Sequence, residues 1–265
     1  VAIIPRSFCN GPYYRAFRTL MLAQCAIRRI HLFESRRKAF ADDEVLQENL
    51  ILHLVKGGCQ GPVTVTTSHG IEFSQSERQD FAFDAIVRPD DGDAVIHVPT
   101  PQHGHVSSPL FQCELKQLGI DVSTGPVVDF RLRDYWCEAG TAGSVPLLYP
   151  HHLRDGTLVW PKEHKKPNAL LRHPEVSKWL MPSGNYVLVK RFSAKEEARR
   201  VVAHVASSRD YDSDAIGFEN HWNVFHSGKR GLPEDVARGL ALFLNSTLLD
   251  TFFRVFSGHT QVNAS

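Results

Sequence analysis

Val1-Ala-Ile-Ile4, then Asn10-Gly-Pro12 and a stretch in which Tyr14, Phe17, Met21 and Cys25 recur at helical spacing, decide the fold class. The first four residues are a short continuous apolar run, the pattern of a strand covered on both faces. Asn10 supplies a cap, and Pro12 suits the first turn of a helix, where a missing amide is no loss. Strand followed by helix predicts an α/β beginning. Working outward, residues 27–33 and 50–55 are two further apolar strand candidates, separated by the charged segment 34–48 and closed by Gly57-Gly58. Residues 62–67 and 94–98 are predicted strands, with Pro89-Asp-Asp-Gly-Asp93 as a turn.

A second region is predicted from near Val106. Residues 108–118 read as a short helix and 127–132 as a strand. Residues 139–185 are rich in Gly, Pro and His and read as loops, and 186–189 as a strand. Ser193-Ala-Lys-Glu196 has the form of a capping box, in which hydroxyl and carboxylate satisfy each other's exposed amides. The helix it would open carries Ala198, Val201, Val202 and Val205 on one face. Pro233-Glu-Asp235 opens a last, longer helix with Val236, Leu240, Phe243 and Leu244 inward, ending before Gly258 and docked on this second region. The predicted fold is therefore α/β over residues 1–105 and mixed α+β over 106–265.

Composition narrows the function by exclusion. With 42% hydrophobic and 22% charged residues the 265-residue chain reads as globular, with room for about two domains. A net charge of +1 gives no overall electrostatic footprint for nucleic acid, so any such footprint must be local. Five cysteines, odd in number and without a C-x-x-C pair, read as buried thiols of a reduced, cytoplasmic protein. No apolar run approaches a membrane span and no signal peptide opens the chain. The sequons at Asn245 and Asn263 are short enough to arise by chance. Val1 in an apolar run and Ser265 just past a polar loop read as ends cut from a longer protein.

Three motifs invite chemistry and fail on context. Asn10-Gly-Pro-Tyr13 is close to the Asn-Pro-Pro-Tyr motif of amino-group methyltransferases, but a permuted enzyme needs a strand followed by an F-x-G-x-G cofactor loop. Phe256-Ser-Gly258-His-Thr260 offers Thr for the second Gly and follows a helix. Glu114-Leu-Lys116, with Asp90, Asp91 and Asp93, resembles a metal-dependent nuclease set, yet it sits in a helical pattern beside a turn. His103-Gly-His105 and His151-His152 lack the H-E-x-x-H helix or partnered cysteines of a zinc site, so no metal is expected.

A chain-long series of blocks is more specific. Ile4-Pro-Arg-Ser-Phe-Cys-Asn-Gly-Pro-Tyr-Tyr14 with Phe17-Arg18 is followed by Leu32-Phe-Glu-Ser-Arg36, Phe40 and Val45-Leu-Gln-Glu-Asn49. Then come Val122-Ser-Thr-Gly-Pro-Val-Val-Asp-Phe-Arg131, Val145-Pro-Leu-Leu-Tyr-Pro150 and Val187-Leu-Val-Lys-Arg-Phe-Ser193. Glu219-Asn-His-Trp-Asn223 and Phe256-Ser-Gly-His-Thr-Gln-Val-Asn263 complete the series. In this order they resemble adenine-N6 DNA methyltransferases of restriction–modification systems, of the PstI and BsuBI methylase type, with catalytic domain first and target-recognition domain last. The resemblance implies that residues 1–105 are the terminal strands of a Rossmann-like methyltransferase sheet and 106–265 a target-recognition domain. It implies S-adenosylmethionine as cofactor of the whole protein, with none held by this stretch, and catalytic residues upstream of Val1. It also implies duplex DNA as partner, with a cognate restriction endonuclease as a further candidate. A non-catalytic DNA-specificity subunit is the alternative.

Within that resemblance Phe40 takes the place of an aromatic against the extruded adenine, where a ring offsets part of the unstacking cost. A core Phe is the plainer reading. Arg28, Arg29, Arg36, Arg37 and Lys38 stand against one acid, Glu34, and suit phosphates. Arg131, Arg133, Lys190 and Arg191 are similar candidates; solvated surface charge is the plain alternative for all of these. Asn220, His221, Asn223, His259, Thr260 and Gln261 carry donors and acceptors suited to base edges, or else hold loops together.

Overall fold

The opening run forms a strand, β1 (Ala2–Pro5), and the chain then turns through two short 3-10 segments into α1 (Arg15–Gln24). The computed structural model describes residues 1–33, 48–68, 76–100, 113–154, 157–193, 197–257 and 262. Two units account for them: Val1–Ser107 with Thr251–His259, and Ser108–Asp250 with Thr260–Ser265.

In the first unit β2 (Cys25–Phe33), β3 (Asn49–Lys56), β4 (Val63–Ser68) and β5 (Glu77–Phe81) join β1 in the order β1-β3-β2-β4-β5. The β2–β4 pair is parallel and the other three are antiparallel. Alternation sorts the side chains: Ile30, Leu32, Leu50, Leu52, Val63 and Val65 share one core with Phe8 and Met21. β1 was expected to be covered on both faces. It is an edge strand, and Ile3 remains 64% exposed. β5, Glu77-Arg-Gln-Asp-Phe81, has no apolar pattern to announce it; charge is tolerated because it is also an edge. Residues 94–98 are not a strand. Val95, Ile96 and Val98 are buried, but Ile96 donates to the Cys9 carbonyl at 2.9 Å and His97 to that of Ile86 at 2.7 Å, so no single ladder forms.

Arg18 is a fully buried cation facing backbone oxygens. It donates to the carbonyls of Phe8, Gly11, Asp93 and Ala94 at 2.7–3.0 Å. The turn that presents Asp93 and Ala94 is itself held by the Asp91 carboxylate, which accepts from the amides of Asp93 and Val95, both at 2.9 Å.

The second unit holds β6 (Asp121–Thr124), β7 (Trp136–Cys137), β8 (Ser144–Leu148), the two-strand hairpin β9 (Leu153–Arg154) and β10 (Thr157–Leu158), and β11 (Ala169–Leu171). β12 (Met181–Pro182), β13 (Tyr186–Lys190), β14 (Ala203–Ala206), β15 (Ala215–Phe218) and β16 (Trp222–His226) follow. Two sheets result, β12-β15-β8-β11-β7 and β14-β13-β16-β6. Helix α2 (Glu234–Leu244) packs on β13 and β14, and α3 (Thr247–Phe256) follows after a two-residue break.

Several expectations fail here for one reason, partners distant in sequence. Residues 139–185 are not loops throughout, because β8 and β11 pair with each other and with β15 and β7. Residues 127–132 are not a strand: Asp129–Tyr135 forms 3-10 turns. Of the capping box, residues 194–196 lie outside the described set. The helix it would open is absent, since Val205 belongs to β14, paired with Val187 of β13, and Ser193 Oγ accepts from Arg200 Nε at 3.0 Å. The last helix is two helices, with Val236 and Phe243 36% and 40% exposed rather than inward. From Thr251 onward α3 belongs to the first unit, where the Val255 carbonyl accepts from the Val98 amide at 3.2 Å. Among the described residues no single helix is long and apolar enough to cross a membrane.

Candidate nucleic-acid interface

In the second unit five segments converge on one cleft of about 460 Å3. The 3-10 segment after β6 brings Asp129 and Phe130, the end of β8 brings Tyr149 and His151, and the long connection before β11 brings His164 and Lys166. The end of β13 adds Lys190 and Phe192. The β15–β16 connection adds Glu219, Asn220 and His221.

Close backbone approach sets this geometry. Gly125 follows β6 and donates to the Trp222 carbonyl at 2.8 Å; a Cβ on it would lie 2.2 Å from the Glu219 carbonyl oxygen. Trp222, fully buried, ties the start of β16 to the end of β8 by donating from its indole to the Leu148 carbonyl at 3.0 Å. The Asn220 amide donates to the Val127 carbonyl at 2.9 Å, and Arg191 donates from its backbone to His221 at 2.8 Å and from its guanidinium to the Asn220 carbonyl at 3.3 Å. The β15–β16 connection is therefore fixed from both sides.

A hydrogen-bond chain holds the β8 side. The Tyr149 amide donates to His152 Nδ1 at 3.0 Å, which makes His152 Nε2 the donor to Asn168 Oδ1, also at 3.0 Å. Burial, offset in part by the Asn168 bond, pushes the His152 pKa down to about 4. His151 stacks on His164 with ring centroids 3.8 Å apart. Burial, together with His152, His164 and the nearby lysines, lowers its pKa to about 4, so at neutral pH it is uncharged.

Two carboxylates are buried at the cleft, and both are matched. Glu219, 3% exposed, accepts from the His221 amide at 3.0 Å and faces His221 Nδ1 at 2.6 Å. Asp129, 4% exposed, accepts from Lys166 Nζ at 2.5 Å and from the Tyr149 hydroxyl at 3.1 Å. Burial pushes the Asp129 carboxyl up, but the Lys166 ammonium and the Tyr149 hydroxyl outweigh it and hold the group below the ordinary carboxylate range. A depressed carboxylate contributes stability that is complete above its unfolded pKa and lost as pH falls through the folded one. Lys166→Met removes the main opposition to burial and leaves only the Tyr149 hydroxyl and the Phe130 backbone amide to stabilise the charge. We expect this variant to be less stable by about 1–3 kcal/mol at pH 7, with the gap closing as pH falls below about 4. Urea midpoints at the two pH values read this out; a gap independent of pH would assign Lys166 to packing against Trp136, whose ring lies 5.8 Å away.

Of the residues singled out from sequence, Lys190, Asn220 and His221 meet at the cleft. Arg191 braces it, with its guanidinium 5.8 Å from the Phe192 ring. Arg131 and Arg133 are exposed on the 3-10 segment, 5.8 and 5.7 Å from the rings of Phe130 and Trp136. Asn223 is corrected: it is 2% exposed inside β16 and donates to the Val262 carbonyl, so it holds the chain end and cannot read a base. Arg28 lies in the first unit, half-buried on β2 beside Gly58 and Gly61. Phe40, Arg36, Arg37, Lys38, His259, Thr260 and Gln261 lie outside the described residues.

The rejected motifs have plain structural roles. Asn10 Nδ2 donates to the Phe256 carbonyl at 3.1 Å and Tyr13 is 96% exposed, so the two form no amine-binding pair. Glu114 caps the 3-10 turn Leu115–Leu118. Among the described residues no group of three His, Cys, Asp or Glu could hold a metal.

Along its whole length the chain is a homologue of Type II methyltransferases, which bears out the resemblance carried by its sequence blocks. It is 49% identical over 267 residues to Type II methyltransferase M.BsuBI of Bacillus subtilis and 45% identical over 270 residues to Type II methyltransferase M.PstI of Providencia stuartii. Each alignment takes in all of this chain and 53% of the relative, so the chain spans about half the length of the curated relatives it matches. No protein-family model matches. Among solved structures, the Type IIL restriction-modification enzyme MmeI in complex with DNA aligns at a TM-score of 0.47 and 9% identity, over 90% of this chain and 34% of MmeI. The type IIG restriction endonuclease BpuSI aligns at 0.32 and 12%, over 99% of this chain and 38% of BpuSI. Both are too distant to assign a function.

Proposed function

We propose that the chain is the DNA-recognising portion of a site-specific adenine-N6 DNA methyltransferase. The observation that carries this reading is end-to-end similarity, at 45–49% identity, to two Type II methyltransferases. Residues 1–105 complete a Rossmann-like catalytic sheet, and residues 106–265 read the duplex. Support for the second role comes from the cleft, where a lysine, an asparagine carboxamide on a fixed connection and exposed aromatic rings from other segments line one recess. Lysine suits phosphates, and asparagine suits a purine edge.

Methyl transfer belongs to the parent protein. We expect this stretch to hold no S-adenosylmethionine: the strand-to-helix passage at its start, β1 to α1, carries a single glycine, Gly11. A Cβ there would already meet the Ser7 carbonyl oxygen at 3.0 Å, so the turn is closed on itself rather than open as a cradle. The adenine is extruded from the duplex in the whole enzyme, with Phe40 against it and Arg36, Arg37 and Lys38 on phosphates. A cognate endonuclease acts on the same sequence.

The test uses the reading frame extended upstream. With labelled S-adenosylmethionine and duplex DNA, the extended protein is expected to deposit methyl groups on adenine N6, and the 265-residue chain to bind duplex without methylating it. Sequence-specific binding by both with methylation by neither would make the protein a specificity subunit. Failure of both proteins to bind duplex DNA would overturn the reading.

A further inference from the structure

The cleft in the second unit is shaped for something smaller than a duplex. We propose that it receives one unpaired nucleotide of the bound DNA other than the adenine set against Phe40, with the base against the exposed surfaces of Phe130 and Phe192, the base edge at Asn220 and the phosphate at Lys190. This inference rests on the DNA-recognition reading above and adds to it the form in which the DNA is held.

Concavity is the first ground. A volume of about 460 Å3 lies within the roughly 300–1,000 Å3 typical of small-molecule pockets. Duplex grooves are read by elements that protrude into them, a helix or a two-stranded ribbon, and a recess meets only the convex backbone. A base swung out of the stack is the part of DNA that fills a recess.

The second ground is where the aromatic surface lies. Tyr186, Phe218 and Trp222 of the same unit are fully buried, whereas Phe130 and Phe192 keep 57% and 41% of their surface exposed, and both line the cleft. A lone exposed Phe needs no explanation. Two at one recess offer π-faces that stack on any base.

The third ground is polar matching. The buried carboxylates Asp129 and Glu219 are already paired, as described above. Lys190 and Asn220 line the same cleft, and neither side chain has a hydrogen-bond or ion-pair partner among the described residues. An incoming nucleotide therefore meets an unpaired cation for its phosphate and an unpaired carboxamide that can both donate to and accept from a base edge. Because the Asn220 backbone is bonded on both sides, this edge is offered from a fixed position.

A pool of random-sequence duplexes, selected on the 265-residue chain, supplies the bound sequence. That duplex is then remade with a single mismatch at each position in turn, and affinities are measured for the wild type and for Phe130→Ala, Phe192→Ala and Asn220→Ala. Extrusion is easiest at a mismatched pair, so one position is expected to bind about 5-fold or more tighter than the matched duplex. Phe192→Ala should cut that gain to less than about 2-fold, and Asn220→Ala should change which base is preferred at that position. Melting temperatures close to wild type confirm that these partly exposed positions leave the fold intact. If no mismatch tightens binding, or if the gain survives in both phenylalanine variants, the cleft holds no nucleotide while duplex recognition stands. If no duplex is retained at all, DNA recognition fails and this inference falls with it.

Discussion

Arg18→Met is expected to destabilise the first unit by about 3–5 kcal/mol. The guanidinium sits fully buried among the carbonyls of Phe8, Gly11, Asp93 and Ala94, and Met removes every donor while keeping most of the volume. Four backbone acceptors are then left without partners in a site closed to water, and each loses a charge-assisted bond. Burial pulls the Arg18 pKa down, with Cys9, Asp93 and Asp91 pulling it back up, but an arginine remains charged at any ordinary pH. Arg18→Lys should recover only part of the loss, because one ammonium cannot reach acceptors spread around a planar fork. Urea denaturation of the three proteins decides the matter. A Met variant within about 1 kcal/mol of wild type would mean that the carbonyls find other donors.

Gly125→Ala is the second large effect, and it reaches the cleft directly. The new methyl group would stand 2.2 Å from the Glu219 carbonyl oxygen and 2.8 Å from that of Phe218. Both obstacles are backbone, so no side-chain rotation relieves them. The segment carrying Glu219, Asn220 and His221 has to move, at a cost of about 3 kcal/mol, and the Gly125-to-Trp222 hydrogen bond goes with it. Duplex affinity and melting temperature are both expected to fall. Gly239→Ala is the control: it lies within α2, a Cβ there has nothing within 4 Å, and Ala should stabilise by about 0.5–1 kcal/mol. If Gly125→Ala were to melt with the wild type while binding duplex normally, the close approach would not govern the site.

The long strands β2, β3 and β4, α1 and the start of α2 follow from sequence alone. The three strands bury apolar residues in runs long enough to show, and the two helices are announced by a proline at their start, although α1 buries only Arg18 and Met21. The end-to-end resemblance to Type II methyltransferases was legible for a similar reason, since ordered blocks of residues survive without knowledge of contacts. Lys190, Asn220 and His221 could be named because polar residues next to a strand end belong to a connection, and connections carry function.

The remainder depended on partners that sequence does not reveal. Val201, Val202 and Val205 have helical spacing, yet β14 forms because β13 offers it a ladder. Asn223 has the chemistry of a base reader, and only its burial in β16 against the Val262 carbonyl makes it structural. Asp129 looks like one more acid on a predicted strand until Lys166, 37 residues further on, arrives at 2.5 Å, and Glu219 is silent until Gly125 presses on its carbonyl. Sequence by itself determined where most of the apolar segments lie and which proteins the chain resembles, because both depend on patterns along the chain. Tertiary structure alone decided which polar groups are already satisfied and which stand open, because a charge or an amide is spent or available only according to what lies within three ångströms of it.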